Sequence, residues 1–304
     1  MAVEQASIGA VAGARAGPPA ASGHWGQAWR RLRRDRAALA GGVVIIALIL
    51  CAVFAPWIAP YDYTAQNMAN RYAPPGGANL LGTDALGRDV LSRLFYGARI
   101  SLAVGVIAVG IAVSFGVMVG AVAGYVGGKV DLLLMWVMDL ILAFPIYLLA
   151  IILMVIFTPT AGLIGTIKVT GAIAIVRIPI YARLVRGSVL SIKEKEYVEA
   201  CRALGVRDPW ILLRHVLPNC LAPIIVTTTL GIATSIIVEA TLSFLGLGTQ
   251  PPTPSWGWDL KANVAFIQAN MWLSLFPGLA IFVTVLGFNL FGDGLRDALD
   301  PRLK

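Results

Sequence analysis

Charge is what this sequence lacks most. Only 13% of its 304 residues are Asp, Glu, Lys or Arg, about half of the ~25% usual for soluble domains. That is too little to cover a water-exposed surface, so an ordinary soluble enzyme is excluded. Cysteine is also scarce. Cys51, Cys201 and Cys220 are widely spaced and form no C-x-x-C pair, so neither a disulfide framework nor a zinc site is indicated. His24 and His215 are too few for a His-rich metal or haem site. The phosphate-binding pattern G-x-x-x-x-G-K-S/T is missing: Gly128-Lys129 is followed by Val130, and position 123 is Ala. No nucleophile, base and orienting acid assemble around the two histidines, so catalysis by this polypeptide is not expected.

What the chain does have is apolar length. The apolar set makes up 58% of it, and a hydrocarbon core of about 30 Å needs about 20 apolar residues per helix. Runs over 37–58, 100–125, 132–157, 162–181, 224–245 and 272–291 reach about that length. The expected fold class is all-α, a polytopic protein with six transmembrane helices in a lipid bilayer. The first run exceeds the apolar region of a signal peptide and reads as an anchor. Of the 24 Lys and Arg, 17 lie in 1–36, at Lys129, in 182–222 and after Gly292; the positive-inside rule then puts both termini in the cytoplasm. These cations flank apolar spans and form no stripe mixed with base-stacking aromatics, so the net charge of +8 does not indicate nucleic acid. The expected organisation is a cytoplasmic segment 1–36, flexible over 1–23, then the first span 37–58. An extracytoplasmic loop 59–99 follows, with an amphipathic helix from Gly87 to Arg99. A five-span core 100–291 and a tail 292–304 complete the chain.

The inner loop 182–222 is the most informative segment. From Lys193 to Leu204 helix formers dominate, and Ala200, Cys201 and Ala203 keep part of the surface narrow. Gly205 suits the left-handed position that ends a helix. Asp208 suits an N-cap and Pro209 the first helical position. A second helix, 210–216, should run until Pro218 stops it. Trp210, Leu213 and Leu217 lie close to one face of it, so the loop reads as a rigid two-helix bracket with an apolar surface that needs a cover.

These residues resemble the signature loop of permease subunits of ABC importers: EAA, three residues, Gly, nine residues, Ile, any residue, Leu-Pro. The sequence supplies Glu199, Ala200, Cys201, then Gly205, then His215, Val216, Leu217 and Pro218, with Cys in place of the second Ala and His in place of the Ile. Two more segments, LGTDALGRDVLSRLFYGARISL at 81–102 and LSFLGLGTQPPTPSWG at 242–257, look like the second permease of dipeptide, oligopeptide and nickel importers. The C-terminal GDGLRDALDPRLK at 292–304 fits the same group. The resemblance implies a type I importer permease of the bacterial inner membrane, and it implies an ATPase-coupling role for Glu199, Ala200, Cys201, Arg202, Gly205, Asp208, Pro209, His215, Leu217 and Pro218. It further implies a second permease subunit, two ATPase subunits or domains carrying ATP and Mg, and an extracytoplasmic substrate-binding protein. The implied solutes are dipeptides or short oligopeptides, with glutathione or nickel as alternatives. A secondary transporter would instead carry inverted repeats, and none is visible.

Four ionisable residues fall inside the expected spans. Asp139 lies roughly 13 Å from the inner edge, counting 1.5 Å per residue from Val130. Arg177 lies near the inner end of an antiparallel span, so the two can pair. Lys168 and Glu239 both fall towards the outer end. Static ion pairs and transport roles remain alternatives for these four. Gly116, Gly120 and Gly124 form a G-x-x-x-G-x-x-x-G stripe suited to close helix packing. Trp256, Trp258 and Trp272 read as interfacial anchors.

Overall fold

The computed structural model describes residues 24–300; the flexible tail expected over 1–23 and the last four residues of the expected 292–304 tail lie outside the described residues. Every regular element among the described residues is helical. Five helices are long and apolar enough to span a bilayer: α2 (Arg36–Ile58), α3 (Val90–Val126), α6 (Gly162–Lys193), the helical path Asp208–Leu245, and α11 (Trp272–Leu299). The short α1 (His24–Leu32) precedes them. Its Ala28 and Leu32 pack with Ala38 of α2 and Ala298 of α11, while Asp35 caps α2 by accepting from the Ala37 and Ala38 N–H groups at 2.8 and 3.2 Å.

Three expectations about helix ends need correction. The run 132–157 is not one straight span: α4 (Gly128–Leu142) and α5 (Ile146–Phe157) meet at an angle of 89°. Pro145 explains the break, because it lacks an N–H and disfavours the helical conformation at Phe144 before it. The amphipathic segment from Gly87 to Arg99 is not a separate helix. Asp89 accepts from the Ser92 N–H at 2.7 Å and starts α3, which then runs unbroken for 37 residues. At 1.5 Å per residue that is about 55 Å, so α3 is longer than the hydrocarbon core is thick. Finally, Pro218 does not end the second bracket helix. The short α8 (Asp208–Ile211) continues through a widened turn, Leu212–Val216, and a tight one, Leu217–Cys220, into α9 (Leu221–Leu245). The widened turn lets the proline ring be accommodated without breaking the path.

The stripe of small residues on α3 sets the centre of the fold. A Cβ added at Gly116 would lie 2.5 Å from the Tyr181 Cβ; at Gly124 it would lie 2.9 Å from the Arg186 carbonyl, and at Gly120 it would strike the Ala182 carbonyl. The α3 and α6 backbones therefore meet directly, as small residues at four-residue spacing permit. Val104 and Ala108 of α3 continue this interior with Val169, Ala172, Ile173 and Val176 of α6, and Ala150 and Met154 of α5 close it.

Antiparallel to α6, α4 lays down two ion pairs. Arg186 meets Asp131 through two bonds of 2.5 and 2.6 Å, and Arg183 meets Asp139 at 2.5 Å. The expected pairing of Asp139 with Arg177 is not formed. The sequence pattern placed the inner end of this span at 181, whereas α6 continues to Lys193. The longer helix puts Arg183, not Arg177, level with Asp139. Lys168 and Glu239 do not pair either: the Lys168 ammonium donates to the Thr158 carbonyl and Thr160 hydroxyl at 3.0 and 2.7 Å. Glu239, wholly buried, accepts from the Ser101 and Ser243 hydroxyls at 3.1 and 2.7 Å.

At the opposite end, α10 (Trp256–Asn263) packs on α3 and α9. Trp256 is not an interfacial anchor: it is 1% exposed, and its indole N–H donates to the Leu94 carbonyl at 3.1 Å. Beside it Arg93 and Asp259 form a buried ion pair, with Arg93 Nε donating at 3.0 Å. Trp258 and Trp272 are only partly exposed.

Two consequences can be measured. Gly120→Val forces bulk into the α3–α6 contact and should cost about 1–3 kcal/mol or more, as overpacking does, lowering the thermal stability of the detergent-solubilised protein. Gly110→Val, where a Cβ meets nothing within 4 Å, should leave that stability nearly unchanged. Asp131→Arg and Arg186→Asp should each reduce the folded protein recovered from membranes, and combining them should recover part of the loss.

Candidate functional site

The candidate site is the bracket between α6 and α9. Its first arm, α7 (Glu196–Ala203), ends at Gly205, whose φ of +76° is the left-handed conformation that the sequence pattern anticipated there. The Val206 N–H reaches the Cys201 carbonyl at 3.1 Å and the Gly205 N–H reaches that of Arg202 at 2.9 Å, so the carbonyls left open at the helix end are satisfied. Arg207 then turns the chain into α8, with Pro209 in the first turn. Asp208 is not the N-cap. It is the first residue of α8, and its carboxylate accepts from the Tyr125 hydroxyl at 2.5 Å.

One side of the bracket is fixed. Val198, Ile211, Val216 and Cys220 are fully buried with Val185, Val189 and Ile192 of α6 and Ala121 of α3. Complete burial of such an aliphatic side chain contributes about 1.5–3 kcal/mol, so both arms are held to the membrane helices. Cys201 and Leu217 pack against this cluster. Lys193 adds a tether from its ammonium to the Gly124 carbonyl at 2.8 Å.

The other side is open. Leu204 is 83% exposed, Leu213 64% and Trp210 57%, while Glu199, Ala200, Arg202, Pro209 and Pro218 also face outward and His215 is half-buried. Expected to share one face, Trp210 and Leu213 do so, but Leu217 turns inward. Between the bracket and the end of α3 lies an open groove of about 650 Å³ lined by Tyr125, Val126, Arg202, Val206, Arg207 and Asp208. Arg202 lies over the Tyr125 ring at 5.7 Å and 3.9 Å from Asp208; both charges are largely exposed, so the ion pair itself adds little. Burial pushes the Tyr197 hydroxyl above its ordinary range.

The sequence pattern missed Tyr125 and Leu204. Tyr125 belongs to the last turn of α3, distant in sequence from the bracket, and nothing local marks its contact with Asp208. Leu204 follows the last helical residue of α7, where an apolar side chain does not register on a helical face. Of the four intramembrane charges, Arg177 stands apart. It is buried, and its guanidinium donates to the hydroxyl of Thr234.

Comparison with known proteins places the chain in a family. Residues 116–304 match the family described as the binding-protein-dependent transport system inner membrane component. Residues 23–75 match the N-terminal transmembrane domain of oligopeptide transport permease C. The chain is 46% identical over 280 residues to the dipeptide transport system permease protein DppC of Alkalihalophilus pseudofirmus, covering 92% of this chain and 90% of that one. It is 48% identical over 284 residues to the glutathione transport system permease protein GsiD of Escherichia coli, covering 92% and 91%. Its fold is similar to a chain of the inward-facing MetNI methionine ABC transporter, with a TM-score of 0.56 and 18% identity over 68% of this chain and 96% of that one. The chain belongs to the binding-protein-dependent transport inner membrane components and is a multi-pass permease subunit of an ABC importer, not an enzyme.

Proposed function

We propose that this permease imports dipeptides or short oligopeptides and forms half of the translocation path with a second, related permease. Two ATPase subunits or domains, holding ATP and Mg²⁺, drive it through the bracket at 193–220. The observation that carries the reading is the bracket's two-sidedness. Its inner side is anchored by fully buried Val198, Ile211 and Val216, while its outer side presents Leu204, Trp210 and Leu213 uncovered. Apolar side chains at that exposure on a soluble end of the protein need a partner surface, and a rigid bracket seated in a partner passes on the partner's movement as rotation of whole helices.

The basic residues support an orientation with the bracket and both termini in the cytoplasm. Residues 59–89 and 246–271 then face outward, where an extracytoplasmic binding protein delivers the solute. The 46% identity to a dipeptide permease supports the peptide reading. Glutathione is the alternative supported by a comparison of similar strength, and it is chemically a short peptide.

Four measurements test this. Leu204→Asp in the reconstituted importer should leave the permease in the membrane at its normal level. Uptake should fall about tenfold or more, as expected when a central apolar anchor of an interface is lost. Gly205→Val must adopt a left-handed backbone that costs a non-glycine residue about 1–2 kcal/mol, so it should lower ATP-driven uptake while nucleotide binding by the ATPases stays unchanged. Single cysteines replacing Arg202 or Asp208 should crosslink to the ATPase in the working complex; if they capture no ATPase there, the coupling role is wrong. Calorimetric titration of the associated binding protein with dipeptides and with glutathione decides between the solutes, since binding of glutathione alone would transfer the assignment to it.

A further inference from the structure

Arg177 sits about midway along α6 and is 6% exposed. Every other cation on this helix has a visible electrostatic partner: Arg183 and Arg186 hold carboxylates, and Lys168 and Lys193 reach carbonyl oxygens. Among the described residues Arg177 has one hydrogen-bond partner, a hydroxyl. One Nη donates to the Thr234 hydroxyl; the Tyr181 hydroxyl, which lies with the guanidinium against Gly231, donates to the Thr227 carbonyl at 3.4 Å. Its Nε is buried with no hydrogen-bond partner, and none of the ion pairs among the described residues includes it. A guanidinium stays charged inside a membrane protein. Holding that charge in a low-dielectric interior without an anion is costly, and hydroxyl dipoles offset the cost only in part.

The surroundings show where an anion would come from. Thr234 lies at the middle of α9 and is exposed. Thr227, Thr234 and Thr241 recur at seven-residue intervals, which keeps them near one face of α9. A hydroxyl-bearing strip therefore runs along α9 past a buried cation, in an otherwise apolar span.

We infer that Arg177 is a binding site for the carboxylate of the transported solute, reached along the Thr227–Thr234–Thr241 face of α9. The guanidinium offers paired N–H donors matched to a carboxylate, and Thr234 holds one of its Nη atoms. The inference rests on the reading of the solute as a peptide, whose free C-terminus supplies the anion. The same charge repels a bare divalent cation, so the site selects against nickel ion.

The test uses the complete importer in proteoliposomes, carrying Cys51→Ala, Cys201→Ala, Cys220→Ala and Thr234→Cys. The rates of thiol modification by an anionic sulfonate reagent and by its cationic trimethylammonium counterpart are compared. Arg177→Gln should lower the anionic-to-cationic rate ratio about tenfold, the effect of removing one nearby charge in a partly desolvated path, and Arg177→Lys should retain most of it. With Thr234 restored, Arg177→Gln should lower uptake of a dipeptide by a similar factor in complexes that retain both permeases and the ATPases, with partial recovery in Arg177→Lys. An unchanged rate ratio, a thiol that reacts with neither reagent, or normal dipeptide uptake by Arg177→Gln would overturn the inference. So would loss of the second permease from the purified Arg177→Gln complex, which would assign the charge to the contact between subunits. Failure of the unaltered importer to take up any peptide would refute the substrate reading instead, and the thiol rates would still decide whether Arg177 attracts anions.

Discussion

Direct backbone contact between α3 and α6 is the constraint on which the rest of the structure depends. With Gly116, Gly120 and Gly124 against Tyr181, Ala182 and Arg186, the two helices cannot slide past one another without driving backbone into backbone. That fixed register places the Gly124 carbonyl within reach of Lys193 and the Tyr125 hydroxyl within reach of Asp208. The bracket is thus located by a packing contact that begins well inside the membrane. Small residues allow this because the drive for helices to associate in lipid comes from close van der Waals contact, not from the removal of water.

The scarce charges follow from the same register. Asp131 and Asp139 lie eight residues apart on α4 and meet Arg186 and Arg183 on the antiparallel α6. These pairs hold α4 even though the chain bends sharply after it at Pro145. At the other end, Arg93 and Asp259 join the start of α3 to α10, where loss of either partner would strand a buried charge. Arg177 and Glu239 are both held by hydroxyls, and both lie beside α9 or on it. The polar chemistry not consumed in holding helices together is concentrated on that helix.

How much of this was legible depended on whether the signal was local. The left-handed turn at Gly205 follows from a helix-forming stretch meeting a glycine, and the helix ends there as the pattern requires. The small-residue stripe is likewise readable from its four-residue spacing alone. The Asp139 partner was not, because it depends on where α6 ends. Hydropathy falls away near Tyr181, but Arg183, Arg186 and Lys193 are compatible with helix, and their partners on α3 and α4 are remote in sequence. Trp256 failed for a related reason: an aromatic next to an apolar span suggests the lipid interface, and only tertiary contact with Gly97 and Leu94 makes it a buried pin. Pro145 broke a run that composition alone made continuous, whereas Pro218, read as a stop, was absorbed by the widened turn before it.

That absorbed proline bears on how a movement at the bracket reaches the solute. Had the helix stopped at Pro218, α8 would be a separate element joined to α9 by a hinge, and displacement of the bracket would dissipate there. Instead the path from Asp208 to Leu245 is helical throughout, and Ile211, Val216 and Cys220 are locked against α6 and its neighbours along its first turns. Force applied at Trp210 or Leu213 therefore acts on a continuous helical path that carries Thr234 and, nearer its far end, Glu239. Arg177 belongs to α6, which forms the other root of the bracket. A tilt of α9 relative to α6 must change the Arg177–Thr234 contact, which lies midway along α6. The proposed coupling surface at Trp210 and Leu213 and the buried Arg177–Thr234 contact lie along the same pair of helices, so a displacement of the bracket would be transmitted to that contact.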